Sequence, residues 1–133
     1  MKSWTEKFNC SKSSQKKRLE KSVAGMSAGA LMYISTPQEI DEYIQSIPYG
    51  QSKTIQQMRE DLAKKNQTDC TCPLTTGIFL RIVTEAAFEK INQDHGASIT
   101  PFWRVVDRKA SIVKKLSFDS SIIQKMRDQE SIA

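Results

Sequence analysis

Apolar residues recur at helical spacing in three stretches of the chain, separated by polar or β-branched segments. Thr36-Pro37-Gln38-Glu39 carries the signals of a helix start: a capping hydroxyl, proline at the first helical position, and a glutamate placed to complete a capping box. Ile40, Tyr43, Ile44 and Ile47 then form one apolar stripe, and Pro48 and Gly50 end it. A second helix is predicted from Thr54 to Lys65, with Ile55, Met58, Leu62 and Ala63 on one face. After a polar loop over 66–72, a third runs from Pro73 to about Asn92, with Ile78, Phe79, Ile82, Val83, Ala86, Ala87 and Ile91 inward. Gly77 lets another backbone or a ligand come close to its first turns.

The remaining segments are shorter. Ala30-Leu31-Met32-Tyr33-Ile34 predicts a strand or extended segment. Residues 93–98, with Asp94 and Gly96, predict a turn. Phe102 to Val106 reads as a strand or extended loop, residues 107–110 as a turn, and Ser111 to Leu116 as a second strand bearing Lys114 and Lys115. Asp119 is placed to cap a last helix whose inner face is Ile122, Ile123 and Met126. Two helices joined by a loop, then a β-turn-β unit, give a winged helix-turn-helix outline: mainly α with a small β-wing. Many protein-binding modules share that outline.

Composition adds limits. The 133 residues suit one domain. No apolar run approaches a membrane span and no apolar leader is seen, so a cytoplasmic protein with no membrane partner is expected. Residues 1–25 hold seven Lys/Arg against two acids, which is the whole net charge of +5. They therefore separate as a basic, polar N-terminal segment from a domain spanning 26–133. Ser11 to Lys21 offers only Leu19, with Val23 beyond it, as an apolar face, which suits a solvated tail or a loosely docked helix. The rest of the chain sums to zero, with 99–133 locally basic and 36–50 acidic. Overall charge is thus a weak argument for nucleic acid.

Three cysteines and one histidine narrow the chemistry. Cys70-Thr71-Cys72 has one spacer residue instead of two, and no second pair exists, so neither a structural zinc nor any cofactor is expected. Cys72, at the start of the third helix, is a reactive-thiol candidate if the helix dipole lowers its pKa, with His95 the only base in view.

Several stretches resemble the DNA-binding domain of the methylated-DNA–protein-cysteine methyltransferases and their alkyltransferase-like relatives. Ile47-Pro48-Tyr49-Gly50, followed by Thr54, is similar to the turn before that family's helix-turn-helix. Pro101-Phe102-Trp103-Arg104-Val105-Val106 is similar to its Pro-Cys-His-Arg-Val active-site run. Thr36 to Glu42 and Cys72 to Phe79 resemble a divergent branch of the family. The resemblance spans roughly residues 36–130 and implies a winged helix-turn-helix-like DNA-binding domain of the alkyltransferase family.

Members of that family move an alkyl group from guanine O6 to a cysteine thiolate activated by histidine. Phe102 stands at the cysteine position and Trp103 at the histidine position, so neither nucleophile nor base is present and no enzymatic alkyl transfer by that route is expected. Ile55 replaces a nucleotide-turning tyrosine, Thr75-Thr76-Gly77 lacks the intercalating arginine, and Phe118-Asp119-Ser120-Ser121 replaces the pocket tyrosine and glycine pair. The resemblance then implies a non-enzymatic DNA-binding protein that senses alkylated bases in DNA repair, with double-stranded DNA, alkylated or not, and a repair protein as partners. DNA would meet Lys53, Thr54, Gln56 and Gln57, then Thr75, Thr76 and Arg81, then Lys114 and Lys115 on the wing. Pro101, Phe102, Trp103 and Arg104 mark the lesion-pocket position. Two alternatives stay open: a protein-interaction module on a degenerate alkyltransferase scaffold, and an alkyl acceptor using Cys72.

Overall fold

Thr36 starts the first long helix as its sequence signals require. In the computed structural model, which describes residues 3–10, 13–94 and 98–132, the Thr36 hydroxyl accepts the Glu39 N–H at 3.2 Å and α2 runs Pro37–Ser46. The reciprocal half of that capping box does not form. The Glu39 carboxylate instead accepts from the Tyr33 hydroxyl at 2.7 Å and the Asn66 amide at 3.2 Å. The complete box sits at the next helix, α3 (Ile55–Lys65), where Thr54 and Gln57 each satisfy the other's backbone N–H.

The longest helix, α4 (Pro73–Gln93), buries a different face from the one its isoleucines predict. Thr76, Leu80, Val83, Thr84 and Ala87 point inward, while Ile78 is 50% exposed. The inward set keeps i, i+4, i+7 spacing but includes two threonines, and Glu85 is buried beside it. The apolar count therefore pointed one facet round the helix. The Thr76 hydroxyl donates to the Cys72 carbonyl at 2.6 Å and Glu85 accepts the Ser117 N–H at 3.0 Å, while the Thr84 hydroxyl is buried without a hydrogen-bond partner.

Of the expected β elements only the strand over 30–34 forms, as β2, and its sheet partners are not the ones the sequence suggested. Strand β1 (Gln15–Arg18) pairs antiparallel with β2 (Leu31–Ile34), and β2 pairs parallel with β3 (Cys70–Thr71), so the order is β1-β2-β3. The segment expected as a solvated tail or loose helix thus supplies an edge strand, and the polar loop 66–72 ends in another. The wing expected over 102–116 is absent: Phe102–Arg104 and Ser111–Lys115 are 3₁₀ turns. A half-exposed hairpin needs alternation, but Pro101, Phe102, Trp103, Val105 and Val106 are all buried. The molecule remains mainly helical with one small three-stranded sheet.

A short N-terminal helix, α1 (Trp4–Asn9), docks on α4. Glu89 of α4 holds its first turn, accepting the Trp4 and Thr5 N–H groups at 3.1 Å each and the Thr5 hydroxyl at 2.8 Å. The last helix, α5 (Ser121–Gln129), begins one residue after Ser120, and the Asp119 carboxylate accepts the Ser121 N–H at 2.9 Å. Ile123 is its fully buried residue, with Ile122 and Met126 partly covered. The main core gathers Ile40 and Ile44 of α2, Met58 and Leu62 of α3, Leu80 and Val83 of α4, the 102–106 run, and Ile123. The 93–98 turn lies partly outside the described residues, His95 and Gly96 included. No helix among the described residues is long and apolar enough to cross a membrane.

Removing the carboxylate that holds α1 tests this docking. Glu89→Ala is expected to weaken the docked state by about 1 kcal/mol, the scale of a helix N-cap. Hydrogen exchange should then show rapid exchange over residues 5–9 with α2 and the interior of α4 still protected.

Candidate functional site

The run 101–106 is locked by one buried carboxylate. Glu130, just past the end of α5, accepts the Trp103 ring N–H at 2.6 Å, the Arg104 Nε at 2.8 Å and the Arg104 Nη2 at 3.1 Å. It also accepts the Gly50 backbone N–H at 2.9 Å. Gly50 adopts φ +81°, a left-handed conformation that glycine alone takes at no cost, and that turn aims its N–H at the carboxylate. Arg104 further donates to the Ile47 carbonyl at 2.8 Å, Arg127 donates to the Trp103 carbonyl at 2.6 Å, and the Tyr49 hydroxyl donates to the Gln129 carbonyl at 3.0 Å.

Phe102 is fully buried, edge-on to Trp103 and to Phe118. Trp103 is 5% exposed. The two aromatics fill the position the family resemblance gives to the lesion pocket; Pro101 is buried and Arg104 half-buried. Burial pushes the Glu130 carboxyl up, but Arg104, the Gly50 N–H and the Trp103 N–H outweigh it and hold the pKa below the ordinary value.

The other residues singled out in the sequence fall into separate groups. Thr54 and Gln57 spend their side chains on the α3 capping box, and the Gln56 amide reaches Glu60 at 3.3 Å. Lys53 is exposed, and its backbone N–H donates to the Arg104 carbonyl at 2.9 Å. Thr76 is fully buried and faces no surface. Thr75 has a buried hydroxyl with no hydrogen-bond partner. Cys72 is the N-cap residue of α4, without a side-chain capping bond, and packs against Leu19, Met26 and Met32. The base considered for it, His95, lies outside the described residues.

Arg81 and Lys115 do come together, in a cleft of about 490 Å³ along the N-terminal half of α4. Its floor is Pro73, Leu74, Gly77, Ile78 and Ile82; its walls are Trp4 and Lys7 of α1 and Ser111, Ile112 and Lys115 of the second 3₁₀ turn. A Cβ on Gly77 would meet nothing within 4 Å, so this glycine opens onto the cleft and no backbone packs on it. The Lys7 ammonium lies 4.0 Å and the Arg81 guanidinium 4.9 Å from the Trp4 ring centroid. Arg81 also stands 3.6 Å from the buried Glu85. Three cations and no acid line the cleft. Leu74, one of its lining residues, is 72% exposed.

Trp4, Lys7, Leu74 and Ile78 were not among the candidate site residues, and Ile78 was expected to face inward. The one signal was an aromatic and a lysine three apart in a polar segment, and it marks a site only once Glu89 has docked α1. Glu130 gave no signal, because a single acid near a polar C-terminal stretch reads as solvated.

No family model, curated protein or solved structure matches this chain. The likeness to the alkyltransferases therefore rests on the short motifs themselves.

The Glu130 clamp makes two predictions. Glu130→Ala strands the Arg104 charge and the Trp103 N–H, and should cost roughly 3–5 kcal/mol, the scale of breaking a buried ion pair. Urea unfolding measures it. Because the folded pKa of Glu130 is depressed, its contribution is complete above the unfolded carboxyl value of about 4.3 and is lost as pH falls through the folded value. A plot of unfolding midpoint against pH should fall steeply there for the parent chain and less steeply for Glu130→Gln.

Proposed function

We propose that this protein is a non-enzymatic duplex-DNA-binding protein of alkyltransferase-like descent, whose DNA-facing surface is the cleft at the N-terminal half of α4. The observation that carries this reading is the set of cations, Lys7, Arg81 and Lys115, around an exposed helix start with no acid among the lining residues. Phosphate contacts position a protein on a duplex and need such donors. Lys114, exposed on the same 3₁₀ turn as Lys115, adds positive charge. The filled position at Phe102 and Trp103 supports binding without alkyl transfer, and sensing of an alkylated base would fall to the cleft and not to the ancestral loop.

Leu74 and Ile78 favour a second reading. Two large exposed apolar side chains on one helix face suit a protein partner better than a phosphate backbone. In that case the chain is an interaction module on the same scaffold. A pull-down that recovers one protein after nuclease treatment, and loses it with Leu74→Asp, would support it.

Fluorescence anisotropy with a labelled duplex, with and without O6-alkylguanine, tests the first reading. Binding should weaken with salt at a log–log slope on the order of −2 to −3, as expected for about three phosphate contacts. Lys115→Gln, an exposed change that leaves the fold alone, should reduce that slope by about 1. Absence of binding at low salt would refute the reading.

A further inference from the structure

The outer face of the sheet carries chemistry that DNA binding does not use. Alternation places Met32 and Ile34 on that face of β2. Met32 is the register partner of Cys70. Cys72, two residues further on, packs on the same side. Thr71 between them turns the other way: it is 1% exposed and its hydroxyl donates to the Arg59 carbonyl at 2.7 Å. The loop 19–30 folds back over this face and adds Leu19 and Met26. Two thiols and two thioethers therefore share one small apolar cluster, set apart from the main core.

Packing alone would be served by any apolar side chains, and two features go beyond it. First, one edge of the cluster is open: a cleft of about 540 Å³ is lined by Met26, Ala30 and Cys70, with Arg59 and Asp69, while Met32 and Cys72 do not line it. Second, the harder groups nearby are engaged elsewhere. The Asp69 carboxylate accepts the Leu31 N–H at 2.8 Å, and the Arg59 guanidinium donates to the Thr71 carbonyl at 3.1 Å.

We infer that Cys70, Cys72, Met26 and Met32 form a binding site for a soft monovalent metal ion, Cu(I). Thiolate and thioether sulfur select Cu(I) among the first-row metals. Zn(II) would need two more cysteine, histidine or carboxylate ligands, and the described residues hold no such group of three. On ligation each thiol gives its proton to solvent, and the sulfur lone pair forms the bond to copper. Met26 is held in place over this face by two backbone hydrogen bonds with Val23, at 2.8 and 2.9 Å.

The test is an anaerobic titration of the full, reduced chain with Cu(I) against a chromophoric Cu(I) chelator. One ion per chain should be withdrawn from the chelator. Cys70→Ser and Cys72→Ser should each weaken binding by on the order of a hundredfold, Met26→Leu by less, and Cys10→Ser not at all. X-ray absorption on the unmutated copper complex should show sulfur as the only ligand atom, a readout independent of whether any variant folds. Failure to withdraw copper, nitrogen or oxygen in the first shell, binding that follows Cys10, or displacement by equimolar Zn(II) would each overturn the assignment.

Discussion

A single buried carboxylate, Glu130, organises the C-terminal half of this protein. A charge taken out of water is tolerated only when donors surround it. Here they come from two distant segments: the Gly50 backbone, the Trp103 ring and the Arg104 fork. The end of α5, the turn after α2 and the run 101–106 are thereby tied at one point. The tie extends to α3, because the Arg104 carbonyl accepts the Lys53 N–H immediately before the α3 cap. Removing any one of these partners leaves the others buried and unsatisfied, so the network specifies one arrangement of the loops, not a family of them.

That constraint decides what the run 101–106 can do. Trp103 and Arg104 are committed to Glu130, and Phe102 is packed among aromatics. The same residues that carry the resemblance thus support the fold. Other chemistry lies elsewhere: at the start of α4, where α1 and the 111–115 turn raise walls around Leu74 and Ile78, and in the small buried cluster on the other sheet face, where sulfur collects. Both depend on the N-terminal segment, the first through Glu89 holding α1 and the second through the loop between β1 and β2.

How much was legible in the sequence follows from where each element gets its stability. Helices α2, α3 and α4 carry their own periodicity and start signals, and their spans were readable to within a residue or two. The inward face of α4 was not, because Thr76 and Thr84 sit inside it while Ile78 is left outside. Strand β1 has no buried residue, so no alternation marks it; pairing with β2 creates it. The run 102–106 read as a strand because its residues are aromatic and β-branched, yet burial on all sides suits a tight turn within the core. Of the site, Arg81 and Lys115 could be picked out as cations on or beside the predicted helix pair. Trp4 and Lys7 could not, since a contact between residues 84 and 85 positions apart brings them there.

The central claim is that the run 101–106 is structural and that, on the proposed reading, the cleft beside Trp4 meets DNA. The chain has two tryptophans, Trp4 and Trp103, one in each place. Their indole N–H signals in a two-dimensional NMR spectrum can therefore be followed separately as duplex DNA is added. The account predicts that the Trp4 signal moves in proportion to the bound fraction while the Trp103 signal, held by Glu130, stays in place. Movement of Trp103 with Trp4 unchanged, or no movement of either, would contradict it.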